Sequence, residues 1–154
     1  MMNRTFYIVG IWCTIIALAA CGNTKSKSDS ATALASIPEA VYLRLLAECD
    51  YVDIIFFDNP VSMSQNDDAG IQNTLSFVSK QVATHIPECQ PLGRVSYMIQ
   101  GEIIAEGDFY CSEGCTYILF MEDNKPKYAN VLSPSGIQFF RNILLQIQKQ
   151  LEVQ

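Results

Sequence analysis

The residues with the most chemistry to offer are the cysteines. The chain has six, at positions 13, 21, 49, 89, 111 and 115. Thiols bridge, ligate metal, exchange disulfides or attack as nucleophiles, and their spacing separates these uses. No Cys-x-x-Cys occurs, so thioredoxin-like exchange is not supported. Cys111-x-x-x-Cys115 is a spacing zinc tolerates, with Cys49, Cys89 or His85 to complete a tetrahedron. Only one such pair exists, and Cys49 and Cys89 stand alone. Free thiols are a third reading. Disulfides are the favoured one if the chain is exported. Four cysteines, Cys49, Cys89, Cys111 and Cys115, allow three connectivities. Cys111 and Cys115 flank an expected three-residue hairpin loop, Ser112-Glu113-Gly114, and would face the same side. That leaves Cys49 with Cys89, closing a loop of about forty residues.

The other reactive groups form no catalytic constellation. His85 is the only histidine, with no serine or cysteine placed beside it by the sequence. There is no Gly-x-Ser-x-Gly elbow, phosphate loop, His-Glu-x-x-His helix or dinucleotide fingerprint. Asn66-Asp67-Asp68 offers oxygens, but the alternation and distal glutamate of a calcium loop are missing. Glu102, Glu106 and Asp108 are expected on the solvated face of a strand, not as a glycosidase pair. Tyr110 and Tyr117 beside them have two readings, exposed aromatics among acids, which suits recognition, or side chains that fill the sheet's edge. Tyr110, Tyr117, Asp67 and Asp68 are therefore the candidate interaction patch. No catalytic residue, metal or cofactor is assigned.

Periodicity supplies the elements that would carry these residues. Ser36-Ile37-Pro38-Glu39 has capping-box spacing and opens a helix ending near Cys49, with Val41, Tyr42, Leu45 and Leu46 on one face. Tyr51–Phe57 reads as a strand. Val61–Gly70 reads as a loop, Ile71–Val78 as a further strand, and 79–93 as an irregular crossing. From Arg94, alternation predicts a β-meander of about four strands, turning at Gln100-Gly101, 112–114 and Asp123–Pro126. Ile103, Ala105, Gly107, Phe109 and Cys111 would share one face. Ser133-Pro134 starts a last helix whose stripe, Ile137, Phe140, Leu144, Ile147 and Leu151, is expected to pack on the sheet. The fold class is α+β: an antiparallel meander sheet packed by an N-terminal and a C-terminal helix.

The first residues read as an address. A short positive start with Arg4 precedes an apolar stretch from Phe6 to Leu18, then small residues and Cys21. This is the layout of a secretory signal. Leu18-Ala19-Ala20-Cys21 resembles the lipobox of bacterial lipoproteins. The resemblance implies removal of residues 1–20, a diacylglyceryl group on Cys21 and further acylation of the new amino terminus. Several buried acyl chains, at about 0.8 kcal/mol per methylene, give stable anchoring. Gly22 stands where, in enterobacterial lipoproteins, an Asp favours inner-membrane retention, so the resemblance points to the outer membrane. Residues 21–35 are then the lipidated cysteine and a Ser/Thr/Lys-rich tether reaching roughly 20 Å. Residues 36–154 form one domain.

That domain carries 7 Lys+Arg against 15 Asp+Glu, a net of -8. Such acidity argues against nucleic acid as a partner. The domain resembles small lipoproteins of Bacteroidota-type envelopes, a resemblance that implies no activity. The expected function is a lipid-anchored envelope lipoprotein whose domain binds an envelope protein or glycan. The alternative is an acidic inhibitor of a basic hydrolase such as lysozyme, attracted by charge.

Overall fold

The computed structural model describes residues 31–151. The expected leader, Cys21 and the expected tether up to residue 30 lie outside the described residues. The architecture is α+β. Chain order runs β1 (Thr32–Ala33), α1 (Glu39–Glu48), β2 (Tyr51–Phe56), β3 (Ser62–Gln65), α2 (Asp68–Leu75), β4 (Val78–Val82), β5 (Thr84–His85), β6 (Gly93–Ile99), β7 (Glu102–Ser112), β8 (Cys115–Glu122), β9 (Lys125–Leu132) and α3 (Pro134–Leu151). Seven strands form one antiparallel sheet in the order β3-β2-β6-β7-β8-β9-β4, and β1 pairs with β5 separately. The expected meander is β6 to β9.

Two of its turns follow from backbone preference. Gln100 and Gly101 have φ of 53° and 82°, and Asp123 and Asn124 have 51° and 58°. Two successive positive φ values are the primed turn whose twist matches that of paired strands. The third turn departs from expectation. Ser112 pairs with Cys115, so the loop is two residues, Glu113-Gly114, with Gly114 at φ 76°. Shortening the loop by one residue changes which side chains lie opposite each other.

One face of the sheet carries the three helices and the main core. Val52, Ile54, Phe56, Val95, Tyr97, Phe109, Ile118, Phe120 and Leu132 meet Leu45, Ile71, Leu75, Phe77 and Phe140 there. Phe140 stacks on Phe109 at 4.1 Å, so the stripe of α3 packs on its own sheet as its spacing predicts. Ser133 Oγ accepts from Gly136 N at 3.2 Å and Pro134 takes the first position of α3.

Other expectations changed. α1 is capped by Pro38 without a side-chain cap. Ser36 is drawn instead to buried Asn130, whose Nδ2 donates to Ser36 Oγ at 2.7 Å and whose Oδ1 accepts from Ile37 N at 2.9 Å. The loop expected at 61–70 contains β3 and the start of α2. β3 is short and polar, and is a strand because β2 pairs with it. The strand expected over Ile71–Val78 is mostly α2. Asp67 Oδ1 accepts from Gly70 N at 2.9 Å, and Ile71, Thr74 and Leu75 are buried at helical spacing. Ser76 and Phe77 turn the chain, and only Val78 belongs to a strand, as the first residue of β4.

Gly93 marks the tightest approach. A Cβ there would sit 2.1 Å from the Ile55 carbonyl oxygen and 2.7 Å from the Phe109 ring. The β2–β6 pair and the Phe109 ring occupy the space any side chain would need.

Candidate interaction face

The second face of the sheet is divided. Over β8 and β9 it is sealed by a strap, made of Thr32–Ala35 and residues 83–90. Thr32 pairs with His85 and Ala33 with Thr84, Ala129 N donates to Ala35 O at 2.8 Å, and Ala83 N donates to Ala129 O at 3.0 Å. Beneath it lie Tyr110, Tyr117, Leu119 and Ala129, packed by Leu34, Ile86 and Cys89. The strap is therefore a second, smaller core.

Tyr110 and Tyr117 belong to that core. They are 4% and 3% exposed and stack at 4.4 Å. This overturns the expectation of an exposed aromatic pair. Tyr117 Oη donates to Ile86 O and accepts from Ile86 N, each at 3.3 Å, and His85 Nδ1 lies 3.4 Å from it. Burial, reinforced by Tyr117 and Asp108, pushes the Tyr110 phenol up to about 12. Alternation along β7 and β8 was legible in the sequence, but the strap that covers Tyr110 and Tyr117 comes from segments about 20 or more residues before them.

Asp67 and Asp68 do not join the tyrosines. They start α2, on the opposite side of the sheet, where Asp67 serves as a helix cap. The four residues expected to form one patch are thus split between the two faces.

The disulfide also differs from expectation. It joins Cys89 to Cys115 with a Cα–Cα distance of 6.1 Å, and Cys49 and Cys111 are free. The two-residue loop is the reason. Cys111 pairs with Thr116 and points to the helix side, its Sγ 3.7 Å from Ile137 O, while Cys115 lies on the strap side. Neighbours on opposite faces cannot bridge. The bond pins the 83–90 part of the strap to the end of β8. Burial pushes both free thiols up, which makes them poor nucleophiles.

The other half of this face, over β3, β2, β6 and β7 as far as Asp108, carries no buried side chain. The pairing sets it out in rows. Ser62, Ile55, Arg94 and Asp108 form one; Ser64, Asp53, Ser96 and Glu106 the next; Tyr51, Met98 and Ile103 the third. Arg94 Nε donates to Asp108 Oδ1 at 2.7 Å, and its Nη1 lies 3.7 Å from Glu106. The hydrogen bond to Asp108 raises the Arg94 pKa further. Ser64 Oγ donates to Asp53 Oδ1 at 2.9 Å. Ile55, Phe57 and Ile103 are 47%, 49% and 51% exposed.

Ile103 was expected inside. A bulge moves it: Tyr97 pairs with Ala105 but Met98 with Ile103, so Ile104 is the extra residue. Beyond the bulge the faces exchange. Ile103 turns outward and Glu102 leaves the Glu106–Asp108 face. Nothing in the local alternation announces the extra residue.

On the helix side a cavity of about 500 Å³ lies between α1 and β4, lined by Ile37, Tyr42, Leu43, Leu46 and Val78. Its polar groups are engaged with one another: Asn130 Nδ2 donates to Ser79 O at 2.9 Å, and Lys80 lies 4.0 Å from Glu39. Among the described residues, no three His, Cys, Asp or Glu side chains converge as a metal site, and no helix is long and apolar enough to cross a membrane. Compared with known proteins, the chain matches no family model, no curated protein and no solved structure.

Proposed function

We propose that this chain is a lipid-anchored protein of the bacterial cell envelope, held in the outer membrane through Cys21, and that its globular domain is a binding module for an envelope protein or glycan. The anchor half of the proposal rests on the signal layout and on Leu18-Ala19-Ala20-Cys21. The binding half rests on one observation, the unequal treatment of the two halves of one sheet face. A strap and a disulfide seal the half over β8 and β9, while the half over β2 and β6 keeps Ile55 and Ile103 in solvent among carboxylates. A solvated antiparallel face ordinarily shows polar side chains, and an apolar patch left open marks contact.

Metabolic labelling with palmitate tests the anchor. Label on the wild-type chain and none on Cys21→Ser is the expected result; labelled Cys21→Ser sinks it. Affinity capture tests the module. The mature chain, starting at residue 21, is immobilised with its disulfide intact and exposed to detergent-solubilised envelope. A reproducible protein or glycan partner supports the reading, and none retained at low salt removes it.

A second reading has its own support in the charge. A domain at -8 attracts cationic proteins, and a lipid-anchored acidic protein sits where a basic hydrolase would attack. On this reading, micromolar mature chain slows lysozyme on cell-wall substrate. Unchanged lysozyme rates exclude it.

A further inference from the structure

We infer that the open half of the sheet face docks a cationic protein surface, one that presents apolar side chains flanked by lysines or arginines. The inference rests on the binding-module reading and gives that module its face and its partner chemistry.

The rows of side chains supply the argument. Asp53, Ser96 and Glu106 are consecutive partners across β2, β6 and β7. The two carboxylates are two strand spacings apart, roughly 10 Å. Small Ser96 between them leaves the surface low. One cation cannot pair closely with both acids at that span, but two basic side chains from one partner can. On one side of this acidic row stands Ile55, and on the other stand Met98 and Ile103. Apolar contacts thus bracket the charges along the strand direction, one row being two residues, roughly 7 Å, from the next.

The face's own cation is already spent. Arg94 is the only basic residue in these rows, and it is held by Asp108 at 2.7 Å and faces Glu106 at 3.7 Å. Three carboxylates against one guanidinium leave the face at -2. Elsewhere the acids are differently used. Asp67 caps α2 and Asp50 Oδ2 accepts from Gln100 N at 2.8 Å. Ser64 holds Asp53 with a single hydrogen bond and leaves its charge unneutralised.

The shape agrees with a protein partner and not a small molecule. The face is a sheet surface bordered by the short strand β3, whose outward residues are Ser62 and Ser64. The cavity beside α1 and β4 lies on the opposite side of the sheet. An acidic surface with exposed isoleucines also disfavours a second copy of itself, since identical -2 faces repel.

The probe is lysozyme, used as a folded cationic protein, with the full mature chain in detergent micelles. Binding is measured by titration calorimetry from low to physiological salt. The wild-type chain is expected to bind and to weaken as salt rises. Asp53→Asn with Glu106→Gln should weaken binding about tenfold and flatten the salt dependence. Asp67→Asn with Asp68→Asn removes the same charge from the other side of the sheet and, since asparagine also caps helices, keeps α2. It should change affinity less than about twofold. Ile55→Ser with Ile103→Ser should weaken binding at every salt concentration with the slope kept. No binding by the wild-type chain, equal loss in both charge pairs, or no loss in the isoleucine pair each overturns the docking face. Envelope capture by the wild-type chain is a separate readout. A partner retained there by the face variants as well would refute this face and leave the binding module standing.

Discussion

The Cys89–Cys115 bond carries the sharpest stability prediction. The two cysteines are 26 residues apart. Chain entropy for a loop of that size gives about 3.5 kcal/mol of stabilisation. The bond also holds the strap over Tyr110, Tyr117 and Leu119, so its loss should loosen that second core. The perturbation is Cys89→Ala with Cys115→Ala in an oxidised chain beginning at residue 22. With a urea slope of about 1.5 kcal/mol/M, the midpoint should fall by about 2 M. Cys49→Ala, which breaks no bridge, should move it by less than about 0.7 M. Proteolytic mapping supplies the direct check: one peptide pair should join residues 89 and 115, and alkylation in denaturant should label Cys49 and Cys111. A peptide joining Cys49 to Cys89 would refute the register argument. So would equal midpoint losses for Cys49→Ala and the double variant.

Three further outcomes follow from packing, buried hydrogen bonds and ionisation. Gly93→Ala forces a methyl to 2.1 Å from the Ile55 carbonyl oxygen, so β2 and β6 must separate. A loss of about 3 kcal/mol or more, or failure to fold, should appear in urea unfolding. Asn130→Ala strands Ile37 N and Ser79 O in or beside the core and should cost about 2 to 3 kcal/mol, read by the same assay. Alkaline titration should show the buried tyrosines. The folded Tyr110 pKa is about 12 against 10 in the unfolded chain, so the folded state holds its proton more tightly. Its contribution is complete below pH 10 and is lost as pH rises through about 12, and Tyr97 and Tyr117 shift in the same direction. The urea midpoint should decline across that window while absorbance at 295 nm lags behind that of the unfolded chain. A flat midpoint would contradict the burial.

Much of the fold was legible because it rests on local repetition. Period-two alternation from Arg94 onward marks β6 to β9, and Gln100-Gly101 and Asp123-Asn124 are natural turn pairs. The α3 stripe and its Ser133-Pro134 start are equally local. Asp67 ahead of Ile71, Thr74 and Leu75 was also a readable helix start. Its signal was masked by the β-branched and apolar residues that continue to Val78. β3 could not be read at all, since four polar or flexible residues become a strand only when β2 offers its edge.

The candidate site was less legible than the fold. The sequence by itself determined which residues alternate, where two of the meander turns fall, where the last helix starts, and how acidic the domain is. These depend on neighbours within a few positions or on simple composition. Only the tertiary structure decided which face each residue occupies relative to distant segments. A loop of two residues rather than three sent Cys111 and Cys115 to opposite faces and gave Cys115 to Cys89. One extra residue at Ile104 put Ile103 in solvent. A strap drawn from both ends of α1–β4 buried Tyr110 and Tyr117 and left Ile55 and Asp53 uncovered. The physical reason is common to all three. In a sheet every side chain's surroundings hang on register, and a register set across long loops is exchanged completely by a slip of one residue.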